Sequence, residues 1–166
     1  KTILQKQIST VSLLKEAKYS KVKKRVFLDP FAPFFPSPYF SKVLENNSVT
    51  TFPLRPVYAH ISVTHSCPCK CFHCHVQNTQ EQDLPKEIIL KAIDELAMLG
   101  FPLLLFVGGE PFSRFADLRV FVERASENMD TRVFTSGVGA SRKKLDSLLE
   151  VRVARLVRLP AVWTEP

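Results

Sequence analysis

Outside residues 60–75 this 166-residue chain has neither cysteine nor histidine. That absence excludes the usual structural zinc staple, in which two ligand pairs about a dozen or more residues apart tie distant chain together. No stretch approaches the roughly 18 to 20 consecutive apolar residues of a membrane span, and the start lacks the basic, apolar and small-residue succession of a cleaved signal. A cytoplasmic location is therefore expected. Residues 26–166 carry no net charge, with fifteen basic and fifteen acidic side chains, so charge gives no guide to a substrate. The excess of +7 lies in residues 1–25, which hold eight Lys/Arg and one acid. Such a leader reads as a solvated helix face, and nucleic acid is not an expected partner.

What is present suffices for one globular core, since 45% of the residues are hydrophobic. Leu4, Ile8, Val11, Leu14 and Ala17 recur at helical spacing. The following LDPFAPFFPSPYF, with Pro30, Pro33, Pro36 and Pro38, reads as an extended, aromatic-rich connector, because proline fixes φ and removes a donor. Residues 1–55 are thus expected to form a helical and proline-rich extension, and residues 56–166 a βα unit of about four strands.

In VYAHISVTH, apolar Val57, Ala59, Ile61 and Val63 alternate with Tyr58, His60, Ser62 and Thr64, as in a strand whose polar face lines a cavity. A helix is predicted over LPKEIILKAIDELAMLG, with Asp83 near its start and Gly100 as stop signal. Strands at 103–107, 131–135 and 153–159 alternate with helices at 115–127 and 141–150. Right-handed crossovers of this kind build a parallel sheet or barrel. The chain begins at Lys1 and ends in strand-like sequence, so a fragment is expected.

The run HISVTHSCPCKCFHCH follows the first strand. Cys67, Cys71 and Cys74 are spaced C-x3-C-x2-C and offer three thiolates from one short loop. A cubane cluster has four irons, so three thiolates leave one iron open to another ligand. The second strand ends in Gly108-Gly109-Glu110-Pro111 and the third in Thr135-Ser136-Gly137. All three loops therefore lie at C-terminal strand ends, where active sites of βα architectures assemble.

The cysteine spacing after strand one, with GGEP after strand two, resembles the radical S-adenosylmethionine (radical SAM) enzyme superfamily over about residues 57–159. The resemblance implies a partial (β/α)6 TIM-like barrel, C-terminally truncated here because a six-unit barrel needs roughly 190 residues. It implies that Cys67, Cys71 and Cys74 hold a [4Fe-4S] cluster whose fourth iron is chelated by S-adenosyl-L-methionine. Gly108, Gly109 and Glu110 match the motif that receives the methionyl amino group, His73 the position beside the adenine, and Ser136 the Asn of the family's Thr-Asn-Gly.

Reductive cleavage to a 5′-deoxyadenosyl radical, which abstracts hydrogen from a substrate, is the implied activity. It requires an external one-electron donor of flavodoxin or ferredoxin type. A peptide or a cofactor precursor is the expected substrate class, and the fragment alone is expected to be inactive. No catalytic side chain is expected beyond the cluster ligands. The alternatives are a non-catalytic iron-sulfur module or a zinc-binding module in which His65, His73 or His75 closes the site. Cys69, outside the family spacing, is expected to be a spectator, and His60 a hydrogen-bonded wall residue.

Overall fold

The computed structural model describes residues 20–22, 24–27, 31–46, 57–71, 74, 81–151, 153 and 155–158. The predicted helix over Leu4 to Ala17 lies outside them, as do His73 and His75. A short antiparallel hairpin opens the described chain, β1 (Ser20–Val22) against β2 (Arg25–Phe27). Phe35 continues the pairing through two backbone hydrogen bonds with Val26.

Helix α1 (Pro38–Asn46) follows, and it corrects the reading of LDPFAPFFPSPYF as extended to its end. The physical reason is that the first helical residues have no intrahelical partner for their N–H groups. Pro38 can therefore begin a helix that no interior proline could continue.

The principal sheet has four parallel strands in sequential order, β3 (Ala59–Ser62), β4 (Leu103–Val107), β5 (Asp130–Thr135) and β6 (Arg155–Arg158). Each crossover carries one helix: α2 (Lys86–Met98), α3 (Phe115–Ser126), preceded by a 3-10 turn at Pro111–Arg114, and α4 (Arg142–Glu150). Sequential order with crossovers of one hand places the helices on one face of the sheet, as in a barrel wall.

The core accordingly joins Ile89 and Ile93 of α2, Leu118, Phe121, Val122 and Ala125 of α3 and Leu148 of α4 to Leu104, Phe106 and Val133 of the strands. The spacing in α3 is i, i+3, i+4, i+7, the stripe of a half-buried helix. Strand β4 is apolar on both faces because both are covered.

The opposite sheet face is covered by residues 31–34. Phe31 stacks on His60 and Phe134 with ring centroids 6.1 and 5.9 Å apart, and also meets Tyr58. The Arg132 guanidinium, fully buried, donates to the Ala32 carbonyl, and the Asp130 carboxylate accepts from Phe34 N–H at 3.3 Å. Within β3 burial alternates as the sequence pattern predicts, with Ala59 and Ile61 against the core and His60 and Ser62 exposed. The alternation stops at Val63 and Thr64, both buried. A cavity of about 240 Å³ borders this strand between His60 and Ile89. Among the described residues no helix is long and apolar enough to cross a membrane.

Candidate metal centre and its supporting loops

The cysteine loop leaves β3 pressed against the end of β4. Parallel pairing continues past both strands: Val63 N–H donates to the Val107 carbonyl at 2.9 Å, Gly109 N–H to Thr64 at 2.7 Å and Glu110 N–H to Ser66 at 2.9 Å. This contact explains both glycines. Gly108 has φ +126°, and a Cβ there would lie 2.5 Å from the Thr64 carbonyl oxygen; one on Gly109 would fall against the Ser66 carbonyl. The two glycines thus let the GGEP backbone come close to the cysteine loop itself.

Glu110 is 1% exposed, and its carboxylate is filled from within the chain. Oε1 accepts from Phe112 N–H at 3.0 Å and Thr135 Oγ1 at 2.6 Å, while Oε2 accepts from Ser136 N–H at 2.8 Å and Ser136 Oγ at 2.5 Å. Three of these donors come from the end of β5, so one side chain joins the GGEP and Thr-Ser-Gly loops. The first caps the 3-10 turn. Hydrogen bonds to a charged acceptor are the strong kind, and a buried carboxylate needs them.

Asp83 stands near the start of α2, as expected, but its carboxylate serves the cysteine loop. Helix α2 begins at Lys86 without a side-chain cap, and the Asp83 carboxylate instead accepts from Thr64 Oγ1 at 2.7 Å and His65 N–H at 2.8 Å. Burial pushes its carboxyl up, but those two hydrogen bonds, with Arg114 and His65 nearby, outweigh burial and hold it below its ordinary value. Pro85 occupies the cap position, which removes Asp83 from the helix end and frees it for the loop.

Arg114 was not foreseen from the sequence. Its guanidinium donates to the carbonyls of Val63 at 3.1 Å and Leu84 at 2.9 Å, and its Nε pairs with Asp117 at 2.8 Å. The one available signal was the Arg114/Asp117 spacing at the start of a helix, which fixes the side chain but not what its fork reaches.

All four cysteines are free thiols: Cys67 exposed, Cys71 and Cys74 half-buried, Cys69 buried. Cys74 N–H donates to the Cys71 carbonyl at 3.0 Å, which puts that pair in one turn. Partial desolvation pushes the Cys67 thiol up; a backbone hydrogen bond from Cys69 opposes this, and the Cys69 and Glu110 charges add to it. Among the described residues, no three His, Cys, Asp or Glu side chains are grouped so as to hold a metal ion. The donor set is nevertheless of the right chemistry: three unpaired sulfurs on one loop, with Cys67 open to solvent and the other two half-covered. Of the histidines, His65 pairs through Nε2 with Glu81 at 3.5 Å, and His60 belongs to the Phe31 stack. Cys69 Sγ turns away from solvent and donates to Ser136 Oγ at 3.6 Å.

Three thiols on the loop after the first strand, locked to a Gly-Gly-Glu turn after the second, define a family. The Radical SAM superfamily model matches residues 61–158, and the chain belongs to that superfamily. It is 34% identical over 97 residues to PqqA peptide cyclase of Ruegeria pomeroyi, a match covering 56% of this chain and 26% of that protein. Against Fe-coproporphyrin III synthase of Methanosarcina barkeri it is 36% identical over 94 residues, covering 54% and 23%. The chain therefore spans about a quarter of the length of these relatives.

Among solved structures, BtrN in complex with AdoMet and 2-DOIA superposes with a TM-score of 0.58 at 19% identity, over 66% of this chain and 48% of that one. The open conformation of BtrN gives 0.55 at 20% identity. These likenesses establish the fold: a parallel four-stranded sheet with helices, as in a partial α/β TIM-like barrel.

Proposed function

We propose that the protein containing this chain is a radical SAM enzyme, with Cys67, Cys71 and Cys74 as the three ligands of a [4Fe-4S] cluster and S-adenosyl-L-methionine as cofactor. The observation that carries this reading is the pair of backbone hydrogen bonds, Gly109 to Thr64 and Glu110 to Ser66, that locks the Gly-Gly-Glu turn onto the cysteine loop. A zinc staple needs no such turn. Cys67, Cys71 and Cys74 would hold the cluster, which when reduced would supply one electron to break the cofactor's sulfur–C5′ bond, methionine leaving as the 5′-deoxyadenosyl radical forms to take hydrogen from the substrate.

The chain's own residues hold and orient. Gly108, Gly109 and Glu110 offer backbone oxygens to the methionyl amino group, because the Glu110 side chain is already committed to four donors. The family resemblance assigns His73 to the position beside the adenine, and Ser136 orders the third loop. The electron donor is a small flavodoxin- or ferredoxin-like protein. The substrate is a peptide or a cofactor precursor, supported by relatives named as a peptide cyclase and a coproporphyrin synthase. A loop of free thiols suits a reducing compartment, and the cytoplasm is the proposed location.

Chromatographic detection of 5′-deoxyadenosine tests the activity. The full-length protein, reduced anaerobically with S-adenosylmethionine, is expected to produce it, and Ala at Cys67, Cys71 or Cys74 to abolish it. A fully cluster-loaded protein that yields none would sink the catalytic reading in favour of an iron-sulfur module without radical chemistry.

A further inference from the structure

We propose that Glu110, Ser136 and Cys69 form a side-chain clasp that fixes the cysteine loop from behind, with Cys69 as a positioning residue, neither a metal ligand nor a bystander. A serine hydroxyl has one proton to donate and two lone pairs to accept with. All three are used: Ser136 Oγ donates to Glu110 Oε2 at 2.5 Å and accepts from Val138 N–H at 3.3 Å and Cys69 S–H at 3.6 Å. Glu110 is immobile, being 1% exposed and held by Phe112, Thr135 and Ser136. The clasp thus runs from the end of β4 through the end of β5 to the middle of the cysteine loop.

Among the described residues the loop is also held near its base, by Asp83 on Thr64 and His65 and by the Gly-Gly-Glu turn on Thr64 and Ser66. Cys69 is the buried residue between exposed Cys67 and half-buried Cys71, so anchoring it limits the sweep of both flanking thiols. An S–H donor is weak, and the packing of the buried thiol adds to the hold.

Two measurements decide this. In the cluster-free full chain treated with iodoacetamide, peptide mapping is expected to show fast labelling of Cys67, Cys71 and Cys74 and slow labelling of Cys69. Ser136→Ala is expected to speed Cys69 labelling roughly two- to tenfold, the range set by one lost hydrogen bond. Equal labelling of Cys69 and Cys67 in the unaltered chain, or no change in the variant, would overturn the clasp. This arm needs no metal and leaves the cluster assignment untouched.

The second arm rests on the proposed function. In the reconstituted full chain, Cys69→Ala is expected to bind four irons and lose them to a chelator about two- to tenfold faster. Cys69→Ser, which keeps a donor, should restore the native rate, with the same electron paramagnetic resonance spectrum in all three proteins. Outright loss of the cluster in Cys69→Ala would make Cys69 a ligand, and identical release from the Ala and Ser variants would remove the hydrogen bond from the account. A native chain that assembles no cluster would refute the proposed function and leave the clasp to the labelling arm.

Discussion

Glu110 is the residue on which the site depends most. A carboxylate that satisfies four donors without solvent is costly to alter, because each donor left unpaired in a buried place loses about 1–3 kcal/mol. Glu110→Gln swaps one acceptor oxygen for a donor that must face the Ser136 N–H and hydroxyl or the Phe112 and Thr135 donors. Chemical denaturation is expected to show a loss of about 2–4 kcal/mol with an unchanged denaturant slope. A side chain that served only to contact the cofactor would leave the stability of the cluster-free chain unchanged.

Gly109 is constrained by its neighbours. Gly109→Ala drives a methyl into the Ser66 carbonyl, and overpacking of this kind costs about 1–3 kcal/mol. The same measurement is expected to place the variant in that range, and a neutral outcome would show that the two loops separate freely.

Asp83 gives the loop a pH dependence of known sign. The free carboxyl titrates near 3.8, and in the folded chain it titrates lower. The unfolded chain therefore takes up that proton first, so the stabilisation is complete above the unfolded value and is lost as pH falls through the folded one. The gap in unfolding midpoint between the native chain and Asp83→Asn is expected to be constant near neutrality and to shrink between about pH 5 and pH 3. A gap that persists at pH 3 would assign the effect to geometry and not to charge.

Among the elements, α3 has the plainest energetic role. Phe121 lies fully buried in the core that α3 shares with the sheet, α2 and α4, and Phe121→Ala is expected to destabilise the fold by about 3–5 kcal/mol, as read from the urea midpoint. The same periodicity that buries Phe121 made α2, α3, α4 and β4 readable in the sequence to within about two residues at each end, because each has a continuous apolar stripe or run. Helix α1 was hidden because proline spacing dominates its first residues, although Pro38 stands at the one helical position that tolerates it. Asp83 was legible as a residue near the start of α2, but its bonds to Thr64 and His65 were not, because these lie 19 and 18 positions away in the chain.

Of the site, the cysteine spacing and the Gly-Gly-Glu turn were legible as motifs. What could not be read were the contacts between loops far apart in sequence. Arg114 reaches back 51 residues to Val63, and Cys69 reaches forward 67 to Ser136. No local pattern encodes a pairing of that length.

Across the molecule, the sheet has helices on one face and residues 31–34 on the other, and three loops converge at the C-terminal ends of β3, β4 and β5. That convergence, and not any single side chain, is the basis of the assignment: the cysteine loop carries the three proposed cluster ligands, the Gly-Gly-Glu turn is fastened to that loop, and the third loop is fastened to the turn. The chain spans about a quarter of the length of the curated relatives it matches.

Anaerobic reconstitution with iron and sulfide, followed by metal analysis and electron paramagnetic resonance of the reduced protein, tests the central claim most directly. Four irons per chain are expected, lost on Ala substitution at Cys67, Cys71 or Cys74, with a spectrum that changes when S-adenosylmethionine is added. One tightly held zinc with no cluster, or a four-iron cluster whose spectrum ignores S-adenosylmethionine, would contradict it.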